Sequence, residues 1–331
     1  MTPIYNQLLI PFLTAMVVAI TMGGSGTAPA FSASYGANVI RKSIIPGLFG
    51  IMVFVGAFLA GKKTAGTMGS GILPAEYMDF TVVSIALFSI AVTMLISNIS
   101  GIPQSTSQAA VLALAAPALY FNKLDTHNLF VEIIPAWFIL PIISYFLSFF
   151  AGKYIYQPMR RRGLTIQRAQ NENKRHIWEV VLVIMALYVS FAIGSNNVAN
   201  AAGPLYTMTI NELHIRESDH IVILMLATLV VAPCFGIGAS LFGHKILKNT
   251  GKEIILFGKF EAVIIAFISG SLLLLASVVK GIPTSLVQVN VAAILGIGVA
   301  KMGHKNIFRK TQVKRFFTMW MIAPVISFLL S

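Results

Sequence analysis

The stretch Gly194-Ser195-Asn196-Asn197-Val198-Ala199-Asn200-Ala201-Ala202-Gly203-Pro204 sets small residues, amides and a helix breaker inside an otherwise apolar run. A weaker copy, Gly24-Ser25-Gly26-Thr27-Ala28-Pro29-Ala30, lies in the first half of the chain. In hydrocarbon, unwound backbone is tolerated only where protein or a wet cavity satisfies its polar groups. Two such interruptions at matching positions predict helices broken around a buried solute site, the arrangement of a transporter.

The solvent is legible from composition, with 56% of residues hydrophobic and only 11% charged. Several runs are long enough to cross the roughly 30 Å hydrocarbon core of a bilayer. A net charge of +13 would suggest nucleic acid in a water-soluble chain. Here the basic residues concentrate in a few loops, which is the pattern of membrane topology. The start Met1-Thr2-Pro3-Ile4-Tyr5 has no basic leader and no cleavage pattern follows it, so the N-terminus is expected to be retained. The single cysteine, Cys234, sits in an apolar run, facing lipid or packed, with no partner for an intrachain disulfide.

Apolar segments fall near 4–37, 44–60, 80–99, 102–121 and 129–151, and again near 177–210, 221–243, 256–279, 282–300 and 316–331. This predicts an all-α polytopic membrane protein of about ten to twelve segments, with a first repeat over 1–151, a linker over 152–176 and a second repeat over 177–331. The linker carries Lys153, Arg160, Arg161, Arg162, Arg168, Lys174 and Arg175 against Glu172, which assigns it to the cytoplasm. The basic loop 301–315 belongs on the same side. Threading five crossings outward puts Arg41, Lys42 and the loop 245–259 inside, the acidic loop 211–220 outside, and both termini on the extracytoplasmic face of the cell membrane. An odd number of crossings per half makes the two halves oppositely oriented. Since a helix over 4–37 would be about 50 Å long, that segment and 177–210 are expected to be broken, tilted or folded back.

Self-comparison supports a duplication. Trp137-Phe138-Ile139-Leu140-Pro141-Ile142-Ile143-Ser144 returns as Trp320-Met321-Ile322-Ala323-Pro324-Val325-Ile326-Ser327 without a gap. Gly101-Ile102-Pro103 returns as Gly281-Ile282-Pro283, and Gly56-Ala57 and Gly61 return as Gly238-Ala239 and Gly243. The offset stays near about 180 residues, which chance similarity between apolar segments would not maintain. Inverted repeats let one site face either side by exchanging the conformations of the halves.

These residues resemble the inorganic phosphate transporter family, whose halves each carry a GANDVANA-like and a later PxSTTH-like segment. Residues 194–201 resemble the first signature, with Asn197 in the aspartate position. Pro103-Gln104-Ser105-Thr106-Ser107-Gln108 resembles the second, with glutamine in place of histidine. In the other copies Thr27 takes the aspartate position, and Pro283-Thr284-Ser285-Leu286-Val287-Gln288 lacks the paired hydroxyls. The departures make the chain similar to the sulfate permease branch of the family. The resemblance implies a homodimer with a pathway in each protomer and, for that branch, coupling to protons.

The missing aspartates have a chemical meaning. Phosphate near neutral pH keeps hydroxyl protons and benefits from an acceptor, whereas sulfate is a fully deprotonated dianion that needs donors alone. A site built for one pattern rejects the other, because unpaired buried groups are costly. Neutral Asn197 and Thr27 also weaken the case for a hard cation, which prefers carboxylate and carbonyl oxygen. The leading expectation is therefore a sulfate importer working by proton symport. The alternative is an inorganic phosphate transporter coupled to protons or sodium. Molybdate, selenate and thiosulfate fit the same donors.

For anion contact the candidates are Ser25, Gly26 and Thr27 with Ser195, Asn196, Asn197 and Asn200, and then Gln104, Ser105, Thr106, Ser107, Thr284 and Ser285. Half-helix ends and polar side chains together suit a tetrahedral oxyanion. Two plainer readings stand beside this one: small residues that let helices approach closely, and helix caps that satisfy only their own helix. Lys280 is a candidate for drawing in the anion, against snorkelling to the interface. Glu261, ahead of Glu179 and Glu132, is a candidate proton carrier, against interfacial ion pairing.

The six histidines fall in or beside loops without zinc spacing or a partnered nucleophile, so neither a metal centre, a cofactor nor an enzyme is expected. No GxxxxGK[ST] loop suggests an ATPase, and paired half-sites rather than rings of charge argue against an anion channel.

Overall fold

A computed structural model describes residues 3–36, 38–101, 104–162, 172–244, 246–247 and 258–331. Ile102, Pro103, Arg168, Lys245 and most of the loop 245–259 lie outside them, as does the linker stretch 163–171. Every regular element among the described residues is helical.

The first half of the chain contributes α1 (Pro3–Gly36), α2 (Ile45–Ala60), α3 (Lys62–Ser70), α4 (Phe80–Ser100), α5 (Thr106–Tyr120) and α6 (Ile134–Phe150). Turns of π-helix on either side of α6 extend it into one span over Asn128–Arg161. The second half contributes α7 (Glu172–Asn197), α8 (Ala199–Leu213), α9 (His220–Leu241), α10 (Lys259–Leu275), α11 (Leu286–Met302) and α12 (Thr311–Leu330). Seven helices among the described residues are long and apolar enough to cross a membrane, or eight if α2 and α3 form one bent span. The shorter α5 and α11 complete the ten apolar stretches of the sequence.

The burial pattern is that of a protein solvated by lipid. Phe138, Met321 and Leu329 are 63%, 71% and 75% exposed, while Gln104, Ser107, Asn196 and Asn200 are fully buried. An exposed apolar belt around a polar interior fits a bilayer and not water. The lone Cys234 is buried, so of the two expectations for it, packing holds.

The expected breaks at the two glycine-containing stretches are corrected. Helix α1 runs unbroken through 24–30, with Pro29 inside it. In the second half only Val198 interrupts the helix, its backbone stays right-handed at φ −60°, ψ −34°, and Ile177–Leu213 forms one 37-residue span.

The reason is close helix packing. A Cβ on Gly23 would stand 2.2 Å from the Phe235 carbonyl oxygen, and one on Gly194 would stand 2.0 Å from that of Val53. The small residues bring backbones together, which stabilises helices by dispersion in a solvent that supplies no hydrophobic drive. Pro29 costs one backbone hydrogen bond, which membrane helices tolerate when neighbours satisfy the freed carbonyl.

The sharp departures from straight helix lie elsewhere. Helices α2 and α3 meet at Gly61 with a 77° bend. Two further turns begin at Gly101 and Gly281, whose φ of 70° and 67° is the left-handed region where glycine carries no Cβ penalty. Each of these turns leads into one of the short helices.

Contacts are reciprocal between the halves. Helix α1 packs on α9 as α2 packs on α7, and α6 packs on α11 as α5 packs on α12. Ser144 donates to the Val289 carbonyl at 2.8 Å, and its repeat counterpart Ser327 donates to the Ala109 carbonyl at 2.9 Å. The last long helix of each half thus holds the short helix of the other.

Candidate functional site

The site is built from the N-terminal ends of α5 and α11. Ser105 and Ser285 have extended backbone and cap these helices, their Oγ atoms accepting from the Gln108 and Gln288 N–H groups at 3.3 Å each. The two glutamine side chains pair with each other. Gln108 Nε2 donates to Gln288 Oε1 at 3.0 Å, and Gln288 Nε2 returns the bond to Gln108 Oε1 at 2.9 Å. Two helix N-termini, each with unsatisfied first-turn N–H groups and a partial positive charge, are therefore tied together inside the protein.

Asn196, at the end of α7, joins these ends to the rest of the bundle. Its Nδ2 donates to Ser277 Oγ at 2.8 Å and to the Ile282 carbonyl at 2.9 Å. Its Oδ1 accepts from the Thr284 N–H at 3.1 Å and from Ser107 Oγ at 3.3 Å. Asn200, one helical turn later, donates to Ser107 Oγ at 3.2 Å and more weakly to Thr106 Oγ1 at 3.5 Å. Asn196 and Asn200, legible in the opening stretch, thus touch the start of α5 and, through Asn196, the segment leading into α11, although the helix carrying them is not unwound.

Several buried polar atoms in this region have no partner. They are Gln104 Nε2 and Oε1, Thr284 Oγ1, Asn197 Oδ1 and Asn200 Oδ1. A buried polar atom left unpaired costs about 1–3 kcal/mol, so the orphans on Gln104, Thr284 and Asn200, all beside the two helix N-termini, mark a place where a polar guest or water belongs. A half-turn of the Asn197 side-chain amide would exchange Oδ1 for Nδ2, so that position can donate or accept. A carboxylate there could only accept while ionised.

The other candidates go different ways. Ser25 donates to Asn98 Oδ1 at 2.8 Å, and Asn98 donates to the Thr21 carbonyl at 2.7 Å, which locks α1 to α4. Thr27 Oγ1 is spent on the Gly23 carbonyl at 2.7 Å, and Ser195 Oγ on the Ala192 carbonyl at 2.8 Å. Gly26 faces the Phe49 ring. No hydrogen bond among the described residues ties Ser25, Gly26 or Thr27 to the cluster at α5 and α11. Pro103, expected to open α5, lies outside the described residues.

The charged candidates are held away from the centre. Lys280 has a 61% exposed side chain and pairs with Glu132 at 3.4 Å. Glu179 pairs with Lys259 at 2.6 Å. Glu261 is the single buried acid among the described residues. It pairs with Lys301 at 2.5 Å and accepts from the Gly258 N–H at the start of α10. These contacts give it a structural task, joining the end of α11 to the start of α10. No group of three metal-ligating His, Cys, Asp or Glu side chains occurs among the described residues.

Sequence reasoning stopped short of Gln108 and Gln288. The signal was present: both proline-led segments, PQSTSQ and PTSLVQ, end on a glutamine five residues after the proline. Ser277 and Asn98 carried no sequence signal beyond being polar in an apolar run.

A lipid-facing helical bundle with an uncharged polar centre at two helix N-termini has the architecture of a membrane transporter for a small polar solute. The sequence pattern of the phosphate transporter family matches residues 22–331 of the chain. The chain belongs to that family. It is 30% identical over 324 residues to Sulfate permease CysP of Bacillus subtilis, covering 98% of this chain and 86% of that one. It is 23% identical to a putative phosphate permease of Pyrococcus abyssi, covering 98% and 96%. Among solved structures, the sodium-dependent phosphate transporter has the same fold, with a TM-score of 0.83 at 20% identity over 98% of this chain and 97% of that one.

Proposed function

We propose that this protein imports sulfate, coupled to protons, by alternating access of two inverted repeats over 1–151 and 177–331. The observation that carries the reading is the site's lack of charge. Among the described residues, the hydrogen-bonded network at the N-terminal ends of α5 and α11 contains amides, hydroxyls and backbone groups and no carboxylate. Gln104 Nε2 and the Thr284 hydroxyl are buried donors without a partner, beside two helix N-termini that favour anions. A dianion that only accepts hydrogen bonds satisfies such a site, whereas the protons of phosphate lack a charged acceptor. The likeness to a sulfate permease supports this choice.

Sulfate entering against an inside-negative potential costs about 2.3 kcal/mol per charge per 100 mV, so uptake needs at least two accompanying positive charges to avoid that cost. Protons supply them in this reading. The basic linker 152–176 is then cytoplasmic, both termini are extracytoplasmic, and the working unit is a homodimer in the cell membrane.

Phosphate with sodium is the second reading. The unpartnered amide oxygens of Gln104, Asn197 and Asn200 favour it, since they suit a phosphate hydroxyl or a hard cation. The solved relative of this fold is named for sodium and phosphate.

Uptake of labelled sulfate into proteoliposomes under imposed gradients separates the two readings. An inward proton gradient is expected to stimulate uptake and an inward sodium gradient to leave it unchanged. Stimulation by sodium alone overturns the coupling, and phosphate uptake exceeding sulfate uptake overturns the substrate.

A further inference from the structure

We propose that the Gln108–Gln288 amide pair is the fixed pivot of the transport cycle, kept intact in both the inward-facing and the outward-facing state. The inference rests on the alternating-access reading above and goes beyond it by naming the contact that does not move.

The argument is one of symmetry. When two inverted repeats exchange conformations, a contact between residue i of one half and residue j of the other is replaced by the contact between their counterparts. A contact between a residue and its own counterpart is replaced by itself. Gln108 and Gln288 are such counterparts, 180 residues apart and each following a matching serine cap. Their two bonds are reciprocal, at 3.0 and 2.9 Å.

Other contacts fall into two further classes. Ser144 to Val289 and Ser327 to Ala109 are counterparts of each other, and both are made here. Exchange of the halves therefore preserves them as a pair. Trp137 is different. Its indole N–H donates to the Pro283 carbonyl at 3.0 Å, whereas the counterpart indole N–H of Trp320 is buried without a partner. This bond exists on one side only, so exchange must break it. The short helices thus turn about the glutamine pair while the segment leading into α11 shifts against α6.

The pair is also chemically suited to the task. Two neutral amides satisfy each other's donor and acceptor without bringing charge into the centre, whereas burying them unpaired in either state would carry the desolvation cost of each group.

The test is cross-linking in a Cys234→Ser background, which leaves no other thiol. Gln108→Cys/Gln288→Cys and Trp137→Cys/Pro283→Cys are each joined by a short bifunctional thiol reagent in proteoliposomes. The first cross-link is expected to leave at least about half of sulfate uptake and the second to lower it at least about tenfold, since only the second holds a contact found in one state. Loss of transport with both cross-links overturns the pivot and leaves alternating access standing. Retention with both overturns the alternating-access reading itself.

If the first cysteine pair fails to transport before cross-linking, Gln108→Met, Gln288→Met and the double variant replace it. Each single change leaves one buried amide unpaired, while the double change leaves none. The singles are expected to lose uptake by similar factors and the double to recover relative to both. A double variant worse than either single overturns the proposal.

Discussion

The stretch 24–30 and the stretch 194–201 look alike in sequence and do different work in the fold. Both place small and polar residues in a membrane helix, and both let a neighbouring helix approach within reach of a missing Cβ, through the Phe242 side chain at Gly24 and through the Val53 backbone at Gly194. In the first, Ser25 and Thr27 spend their hydroxyls on Asn98 and on the helix backbone. In the second, Asn196 bridges Ser277, Ile282, Thr284 and Ser107, and Asn197 and Asn200 keep unpartnered oxygens. Hydroxyls can fold back onto the preceding turn, which satisfies them locally. An asparagine amide carries two donors and an acceptor, more than the preceding turn can satisfy, and in this stretch Asn196 and Asn200 reach across to other helices. Residue type, not spacing, separates the stretch satisfied by its own helix and α4 from the stretch that reaches the N-terminal ends of α5 and α11.

Substitutions sharpen this contrast in order of expected size. Asn196→Ala removes the amide that ties both short helices to α7 and strands buried donors and acceptors worth about 1–3 kcal/mol each. Sulfate uptake is expected below about a hundredth of normal. Uptake near normal would show that the second stretch, like the first, is only scaffold.

Asn197→Asp puts a carboxylate in the position that the family signature gives to aspartate, where it is expected to repel a dianion. Sulfate uptake should fall by about tenfold or more while phosphate becomes a better competitor. Unchanged selectivity in a competition assay would remove Asn197 from the site.

Gln104→Leu tests the orphan atoms from the other side. Because Gln104 has no partner in the protein, its loss breaks no internal bond, so the melting temperature should hold or rise. Sulfate affinity should drop by about tenfold, the equivalent of about 1.4 kcal/mol. A large fall in melting temperature with unchanged affinity would make Gln104 structural.

Thr27→Val is the smallest change. Its hydroxyl is already bonded to the Gly23 carbonyl, so uptake is expected to shift less than about twofold. A loss matching that of Asn197→Asp would put the two stretches on an equal footing and break the comparison.

The sequence made the membrane class and the ten apolar stretches legible, because hydropathy is a local property, as are repeated strings such as those at Trp137 and Trp320. Family membership was legible for the same reason. Helix continuity was not, since the stretches beginning at Gly24 and Gly194 read as breaks until the close partners, Phe242 at the first and the Val53 backbone at the second, are seen. The site was half legible. Asn196 and Asn200 were placed with Thr106, Ser107, Thr284 and Ser285, but which hydroxyls are free depends on partners far away in sequence. Gln108 and Gln288 pair across 180 residues, a relation that no window on the chain contains. Glu261 shows the converse, a buried acid suited to carrying protons whose partner Lys301 stands 40 residues on.

Calorimetric titration of the purified, intact protein with sulfate and then with phosphate at neutral pH tests most directly whether an acid-free pocket selects an anion without protons. Sulfate is expected to bind at least about tenfold more tightly, the difference made by about 1.4 kcal/mol of unpaired hydrogen bonding. Equal affinity, or a preference for phosphate, would contradict the account.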